Sequence, residues 1–227
     1  MRILISGTGR GGTNLLTELV KKITDVNFTQ DVEDRQFFNR ALYENYGTKL
    51  ATDHPTFTLE NLRLKMKRYD DLHVIFSVRH PVDNCLSKIV RGRPASAGGD
   101  KVTENVSSDG TPPTAVAALK QLYVILTEIK NLYPNRVHVV RMEDIVSDTQ
   151  KQVDLLGEFL NTKPKPYEGF QQNNRNRYQQ KRYGDKLAPQ INLYKDLKNN
   201  FEGYFVDKSD VVCYIEEELL KETREYY

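Results

Sequence analysis

Residues Ile3-Leu-Ile-Ser-Gly-Thr-Gly-Arg-Gly-Gly-Thr-Asn-Leu-Leu16 run from a short apolar strand through a glycine-rich turn into a helix opening. That succession turns the backbone N–H groups of a helix N-terminus outward, where they attract an anion. The stretch predicts a phosphorylated nucleotide as ligand, and it sets the first βα unit of the fold.

Three readings of the loop are open. Gly7, Gly9 and Gly12 satisfy G-x-G-x-x-G, and Asp31 or Glu33 lies near the position, ~20 residues on, of a ribose-binding acid. Gly7 and Gly12 also frame the triphosphate loop G-x-x-x-x-G-K-[ST], but Thr13 stands where that motif needs lysine. The third takes Arg10-Gly-Gly-Thr-Asn14 as a phosphosulfate loop. All share the same backbone physics and differ in the cation: lysine for a triphosphate, none for a dinucleotide turn, Arg10 for the third.

Outward from the loop, strand-like runs alternate with helical ones. Asn14–Ile23 reads as a helix with Leu15, Leu16, Leu19 and Val20 on one face, and Lys49–Thr52 as a weaker strand. A helical stretch passes through Leu59, Leu62 and Met66. Leu72–Val78 is the best strand, a nearly continuous apolar run of the kind a parallel sheet buries on both faces. Helices are expected over Val82–Val90, Thr114–Tyr133 and Ser147–Leu160, with a strand at Arg136–Val140 and a closing helix over Lys208–Glu225. The alternation predicts an α/β layered fold around a mostly parallel sheet, whose ligands bind beyond the carboxyl ends of the strands. A length of 227 residues suits a single domain over 1–227. Within it, the Gly/Pro/Ser-rich stretch 92–113 reads as a loop or lid, and 162–227 as a basic C-terminal segment with its helix.

Composition narrows the classes. A net charge of +2 is too mild to argue for nucleic acid or a membrane surface as partner. Two cysteines and four scattered histidines supply neither a disulfide framework nor metal-ligand spacing, so no metal site is expected. The strand-like start leaves no room for a leader and no apolar run reaches ~20 residues, which makes a cytoplasmic setting the expectation.

A second site follows the best strand. In Ser77-Val-Arg-His-Pro-Val-Asp-Asn-Cys-Leu-Ser-Lys88, Arg79 ends the strand and Ser87 lies on the helix opened by Pro81. An arginine fork and a hydroxyl converging there suit a phosphate.

With these residues together, the chain resembles the sulfotransferases that use 3′-phosphoadenosine 5′-phosphosulfate (PAPS). Arg10-Gly-Gly-Thr13 resembles their 5′-phosphosulfate loop, usually Lys/Arg-x-Gly-Thr. Arg79 with Ser87 resembles their 3′-phosphate site, and Val139-Val-Arg-Met-Glu-Asp-Ile145 the stretch after their later core strand. The matches run in family order over residues 3–160. The resemblance implies a three-layer P-loop-like fold and transfer of SO₃ from PAPS to a hydroxyl or amine, leaving PAP. It places Gly11, Gly12, Thr13 and Asn14 around the 5′-phosphate, with Arg10 as the catalytic cation where many members carry lysine. His54, in Thr52-Asp-His-Pro55, resembles the catalytic histidine of a Lys-Thr-His stretch, with Glu33, Asp31 and Asp34 as acidic alternatives for the base. Arg182, Tyr183 and Gly184 fall where the family closes a loop over the 3′-phosphate.

The sulfuryl group carries less charge than a phosphoryl, so no metal requirement is expected. The acceptor is expected to be a small molecule or a glycan, lined by 92–113 and by 25–48 with Phe37, Phe38, Tyr43 and Tyr46. The competing readings are a P-loop nucleotide kinase or NTPase and a non-catalytic nucleotide-binding module.

Overall fold

The computed structural model describes residues 1–29, 34–79, 84 and 112–163. By contacts the chain divides into two compact units, residues 1–79 with 121–172 and residues 80–120 with 173–227. Of the second unit, the described residues are the helical Asn84 and the opening of one helix, residues 112–120.

The first unit is built on five parallel strands: β1 (Arg2–Ser6), β2 (Asn27–Phe28), β3 (Tyr46–Lys49), β4 (Leu72–Val78) and β5 (Val137–Arg141), in the order β2-β3-β1-β4-β5. Between them run α1 (Thr13–Ile23), α2 (Leu59–Arg68) and α3 (Pro112–Leu132), the last beginning in the second unit; α4 (Met142–Ser147) and α5 (Thr149–Leu160) follow β5. Parallel strands need crossover connections, which is why apolar strands and amphipathic helices alternate along the chain.

Register follows from burial. Ile5 is opposite Lys49 of β3 on one side and Ile75 of β4 on the other, and Val78 is opposite Arg141 of β5. Ile3, Ile5 and Ile75 share a buried cluster with Leu16, Leu19 and Val20 of α1 and Val153, Leu156 and Leu160 of α5. Each such side chain contributes about 1.5–3 kcal/mol when fully withdrawn from water. Leu4, Val74 and Phe76 are equally buried, and the two-residue period of a strand puts them on the opposite face.

Local chemistry sets the element ends. Thr58 caps α2 through a bond from Asn61 N–H, and Asp148 caps α5 through one from Lys151 N–H. The same Asp148 also ends α4, so the helix expected over Ser147–Leu160 begins at Thr149, and Ser147 closes the short helix before it. The weaker strand also differs from expectation. Its assigned residues are Tyr46–Lys49, but the ladder runs on, with Leu50 N–H on Ile5 O at 3.0 Å and Thr52 N–H on Gly7 O at 2.9 Å. Helix α3 opens at Pro112, so the last two residues of the stretch expected as loop, 92–113, are helical. The rest of that stretch, the expected helix at 82–90 apart from Asn84, and everything from 164 onward lie outside the described residues.

Candidate functional site

Topology selects one edge. β1 lies between β3 and β4, and its connection leads to β2 at the edge beyond β3, while that of β3 leads across to β4. Right-handed crossovers put α1 and α2 on opposite faces, which opens a crevice at the carboxyl ends of β1 and β3. The glycine loop and the segment 51–57 flank it.

The loop is shaped by backbone it could not otherwise approach. Gly7 has φ 146°, and a Cβ there would meet the Ser77 carbonyl oxygen at 2.4 Å. Gly11 N–H donates to Thr8 O at 3.0 Å, closing a turn whose third residue, Arg10, has φ 72°. Type II turns normally place glycine there, and an L-residue in that region costs roughly 1–2 kcal/mol. Strain of this kind is retained where side-chain placement matters. Gly12, the N-cap of α1, has φ 94° and makes no side-chain cap bond, and the first turn of α1 holds no acidic residue. Its N–H groups therefore meet the crevice without a carboxylate from their own helix.

Two residues that sequence reasoning passed over hold this loop. Ser77 of β4 is buried and donates its hydroxyl to Gly11 O at 2.7 Å. Met142 of α4 packs beneath Gly12, its sulfur 3.0 Å from where a Cβ would sit. A serine inside an otherwise apolar buried strand was the available signal, because a buried hydroxyl needs a partner.

Among the expected phosphosulfate residues, Arg10, Gly11, Gly12, Thr13 and Asn14 are contiguous in this loop and the first turn of α1. Thr13 O accepts from the Thr17 hydroxyl at 2.7 Å, and Asn14 Oδ1 accepts from Lys49 Nζ at the end of β3. Arg79 directly follows β4, one strand over from the loop, and its Nη1 is buried without a hydrogen-bond partner. A guanidinium nitrogen shut away from water without a hydrogen bond is costly, and an anion is one acceptor that satisfies it. Ser87, Arg182, Tyr183 and Gly184 lie outside the described residues, as do Asp31 and Glu33.

On the other side of β1, Ala51–Phe57 makes two successive turns, closed by His54 N–H on Ala51 O at 3.1 Å and Phe57 N–H on His54 O at 2.8 Å. Asp53 Oδ1 accepts from Gly9 N–H at 3.3 Å, which stitches this segment to the loop. His54 Nδ1 accepts from Thr56 N–H at 3.3 Å and lies 2.8 Å from Thr56 Oγ1. A backbone N–H only donates, so while that bond holds the neutral ring carries its proton on Nε2. The shorter contact offers the other tautomer, with Nδ1–H donating to the Thr56 hydroxyl and Nε2 left to accept a proton.

The remaining expectations resolve into structure. Asp34 is bound by the Tyr46 hydroxyl and by Arg40 Nη2 at 2.6 Å, and Arg40 also donates to the Tyr46 hydroxyl at 2.7 Å. Burial, then the bond to Asp34, pushes the Tyr46 phenol up to about 12. Asp34, one of the acidic alternatives for the base, is thus held by two partners. Phe37 and Tyr46, expected to line an acceptor site, are wholly buried and stacked at 6.4 Å, whereas Tyr43 is exposed. Arg141 Nε faces Asp144 Oδ2 at 4.0 Å. Among the described residues no three His, Cys, Asp or Glu side chains gather as metal ligands, and no helix is long and apolar enough to cross a membrane.

A profile of the sulfotransferase family matches residues 25–166, well over half of the chain and beginning after α1, so the glycine loop precedes the matched residues. Among solved structures, mouse sulfotransferase SULT7A1 complexed with PAP is similar at a TM-score of 0.52 and 18% identity. The likeness covers 73% of this chain and 60% of the mouse one, so this chain spans less than two thirds of that relative. It establishes the shared P-loop-like α/β fold. The sulfotransferase domain from the curacin biosynthetic pathway is similar at a TM-score of 0.48 and 19% identity, over 74% of this chain and 75% of that one. No curated protein matches the sequence.

Proposed function

Because the chain belongs to the sulfotransferase family, we propose that it transfers the sulfuryl group of PAPS to a hydroxyl or amine of a small-molecule or glycan acceptor, releasing PAP. The observation that carries the donor is Arg79, whose Nη1 is buried without a hydrogen-bond partner one strand from the glycine loop that opens α1. One strand spacing, roughly 5 Å, separates β4 from β1, at whose end the loop begins. That arrangement suits a ligand anionic at both ends, with the 3′-phosphate at Arg79 and the phosphosulfate on the loop. Ser87, and Arg182 with Tyr183 and Gly184, are assigned to the 3′-phosphate by sequence resemblance.

In the reaction an acceptor oxygen or nitrogen forms its bond to sulfur while the bond from sulfur to the bridging phosphate oxygen breaks, and the electron pair leaves with PAP. The work is positioning and charge stabilisation. N–H groups of Gly12 and Thr13 and the Thr13 hydroxyl hold the 5′-phosphate, with Asn14 alongside, while Gly11, whose N–H closes the turn onto Thr8 O, shapes the loop around it. Arg10, which holds its proton, neutralises the leaving oxygen electrostatically. The acceptor's proton goes to His54 Nε2 in the tautomer whose Nδ1–H donates to Thr56. The transferred group carries less charge than a phosphoryl, so turnover should persist in a chelator. Titration calorimetry with PAP, ATP and NAD tests the donor. Tight PAP binding lost in Arg79→Ala supports the reading, and selective ATP or NAD binding overturns it.

A further inference from the structure

One neighbour of the loop has the wrong sign for an anion site. The carboxylate of Asp53 accepts from Gly9 N–H at 3.3 Å, so a negative charge is held against the backbone that faces the crevice. The main chain fixes this placement from both sides. Thr52 N–H is bonded to Gly7 O at 2.9 Å, and His54 N–H closes the turn onto Ala51 O at 3.1 Å. A short, half-buried side chain between two such anchors has little freedom to swing away.

Among the described residues, few charges are placed at the loop. Arg10 lies within it and Lys49 is held at the first turn of α1 by Asn14, but Thr13 replaces the lysine that a triphosphate loop uses on its terminal phosphates. Asp53 then subtracts one charge. Counted over the described residues, the charge at the 5′ end suits a modestly charged anion.

Sulfuryl and phosphoryl groups have the same tetrahedral shape and nearly the same size, so packing cannot tell a phosphosulfate from a diphosphate. Their charge can: above neutral pH the terminal phosphate of a diphosphate carries one negative charge more than the terminal sulfate. Selectivity against a near-isostere comes from an interaction that penalises the wrong ligand. We propose that Asp53 is the specificity-determining residue of the donor site, and that its carboxylate on Gly9 N–H admits a phosphosulfate and repels the otherwise equivalent diphosphate. The inference rests on the PAPS reading above and adds to it why this loop takes sulfate.

The test needs no acceptor. Calorimetry at pH 8 compares PAPS, its diphosphate counterpart 3′-phosphoadenosine 5′-diphosphate, and PAP. The natural chain should favour PAPS over the diphosphate by about tenfold or more, and raising the salt should shrink that preference. Asp53→Asn keeps an oxygen for Gly9 N–H and removes only the charge, so it should erase most of the preference, chiefly by tightening the diphosphate. Asp53→Ser is the second variant should the asparagine fail to fold. An unchanged preference in either folded variant, or equal binding of PAPS and the diphosphate by the natural chain, overturns the inference while the PAPS reading stands. Binding of none of the three overturns both.

Discussion

The Ser77 hydroxyl donates to the Gly11 carbonyl at 2.7 Å, and through that bond the end of β4 holds the turn that follows β1. Arg79 lies two residues further along the same chain, so one strand end fixes both the loop and the second anion-binding side chain. Ser77→Ala leaves the Gly11 carbonyl without that donor in a buried place. We expect a stability loss of about 1–3 kcal/mol, read as a lowered urea midpoint. PAP binding should weaken further than the stability loss alone accounts for, because the loop loses its anchor. An alanine variant with unchanged PAP affinity would make Ser77 a packing residue only.

Gly7 and Gly12, the two glycines of positive φ among the described residues, should differ in what they tolerate. Gly7→Ala drives a Cβ to 2.4 Å from the Ser77 carbonyl oxygen, a backbone atom in the sheet centre that cannot give way. Gly12→Ala meets the Met142 sulfur at 3.0 Å, the flexible part of a side chain. Both carry the strain of a left-handed residue, about 1–2 kcal/mol. Gly7→Ala should therefore be recovered poorly or not at all. Gly12→Ala should fold with a reduced melting temperature, and thermal melts of the soluble fractions decide the order.

Much of this was legible because the fold is written in burial. Leu72–Val78 reads as a strand without ambiguity, since a central parallel strand needs an apolar residue at nearly every position. Tyr46-Gly47-Thr48 carries no such signal, so the expectation for β3 settled on the residues after it, where the ladder continues without strand assignment. β2 is two residues long and too short to show a period. The site was legible to the extent that it is local: Arg10 to Asn14 and Arg79 are marked by their own neighbours in sequence. Ser77 and Asp53 act on residues 66 and 44 positions away, and pairings at that range leave no trace in spacing. Phe37 and Tyr46 misled for a related reason, since an aromatic side chain reads alike whether it lines a cleft or fills a core.

Two histidines should make the fold sensitive to mild acid. His73 of β4 meets Phe159 edge to face and His138 of β5 stacks on it, with ring centroids at 5.4 Å and 4.9 Å. Burial depresses both imidazoles below the usual 6.5; for His73 the Asp71 carbonyl opposes this and Arg136 adds to it, and for His138 Lys130 adds to it. Above about pH 6.5 both are neutral, folded or unfolded, and contribute no pH dependence. As pH falls below that value the unfolded chain takes up protons that the fold excludes, so stability drops until the depressed folded values are passed. Asp71 acts in a lower window. Burial raises its carboxyl, but Arg2 and the chain N-terminus outweigh this and hold it below 3.8, so its contribution is present above that value and is lost as pH falls through the folded one. Urea midpoints between pH 7.5 and 5.5 should fall for the natural chain. They should fall less for His138→Gln, and an equal slope in both would remove the pair as the cause.

Arg79 should show function and stability pulling apart. Its Nη1 is buried with no hydrogen-bond partner, so the protein without nucleotide bears the desolvation of that N–H group. Arg79→Met retains most of the apolar stem and deletes the guanidinium. Before any ligand is added, the variant should be as stable as the natural chain or more so, by about 0.5–2 kcal/mol. Saturating PAP should raise the melting temperature of the natural chain, because a ligand bound only by the folded state stabilises it in proportion to the logarithm of its concentration over Kd. The same addition should move Arg79→Met little. A merely structural arginine gives the opposite pattern, with a lower melting point and the ligand shift preserved. The paired melts with and without PAP therefore tell a binding residue from a scaffold residue without any knowledge of the acceptor.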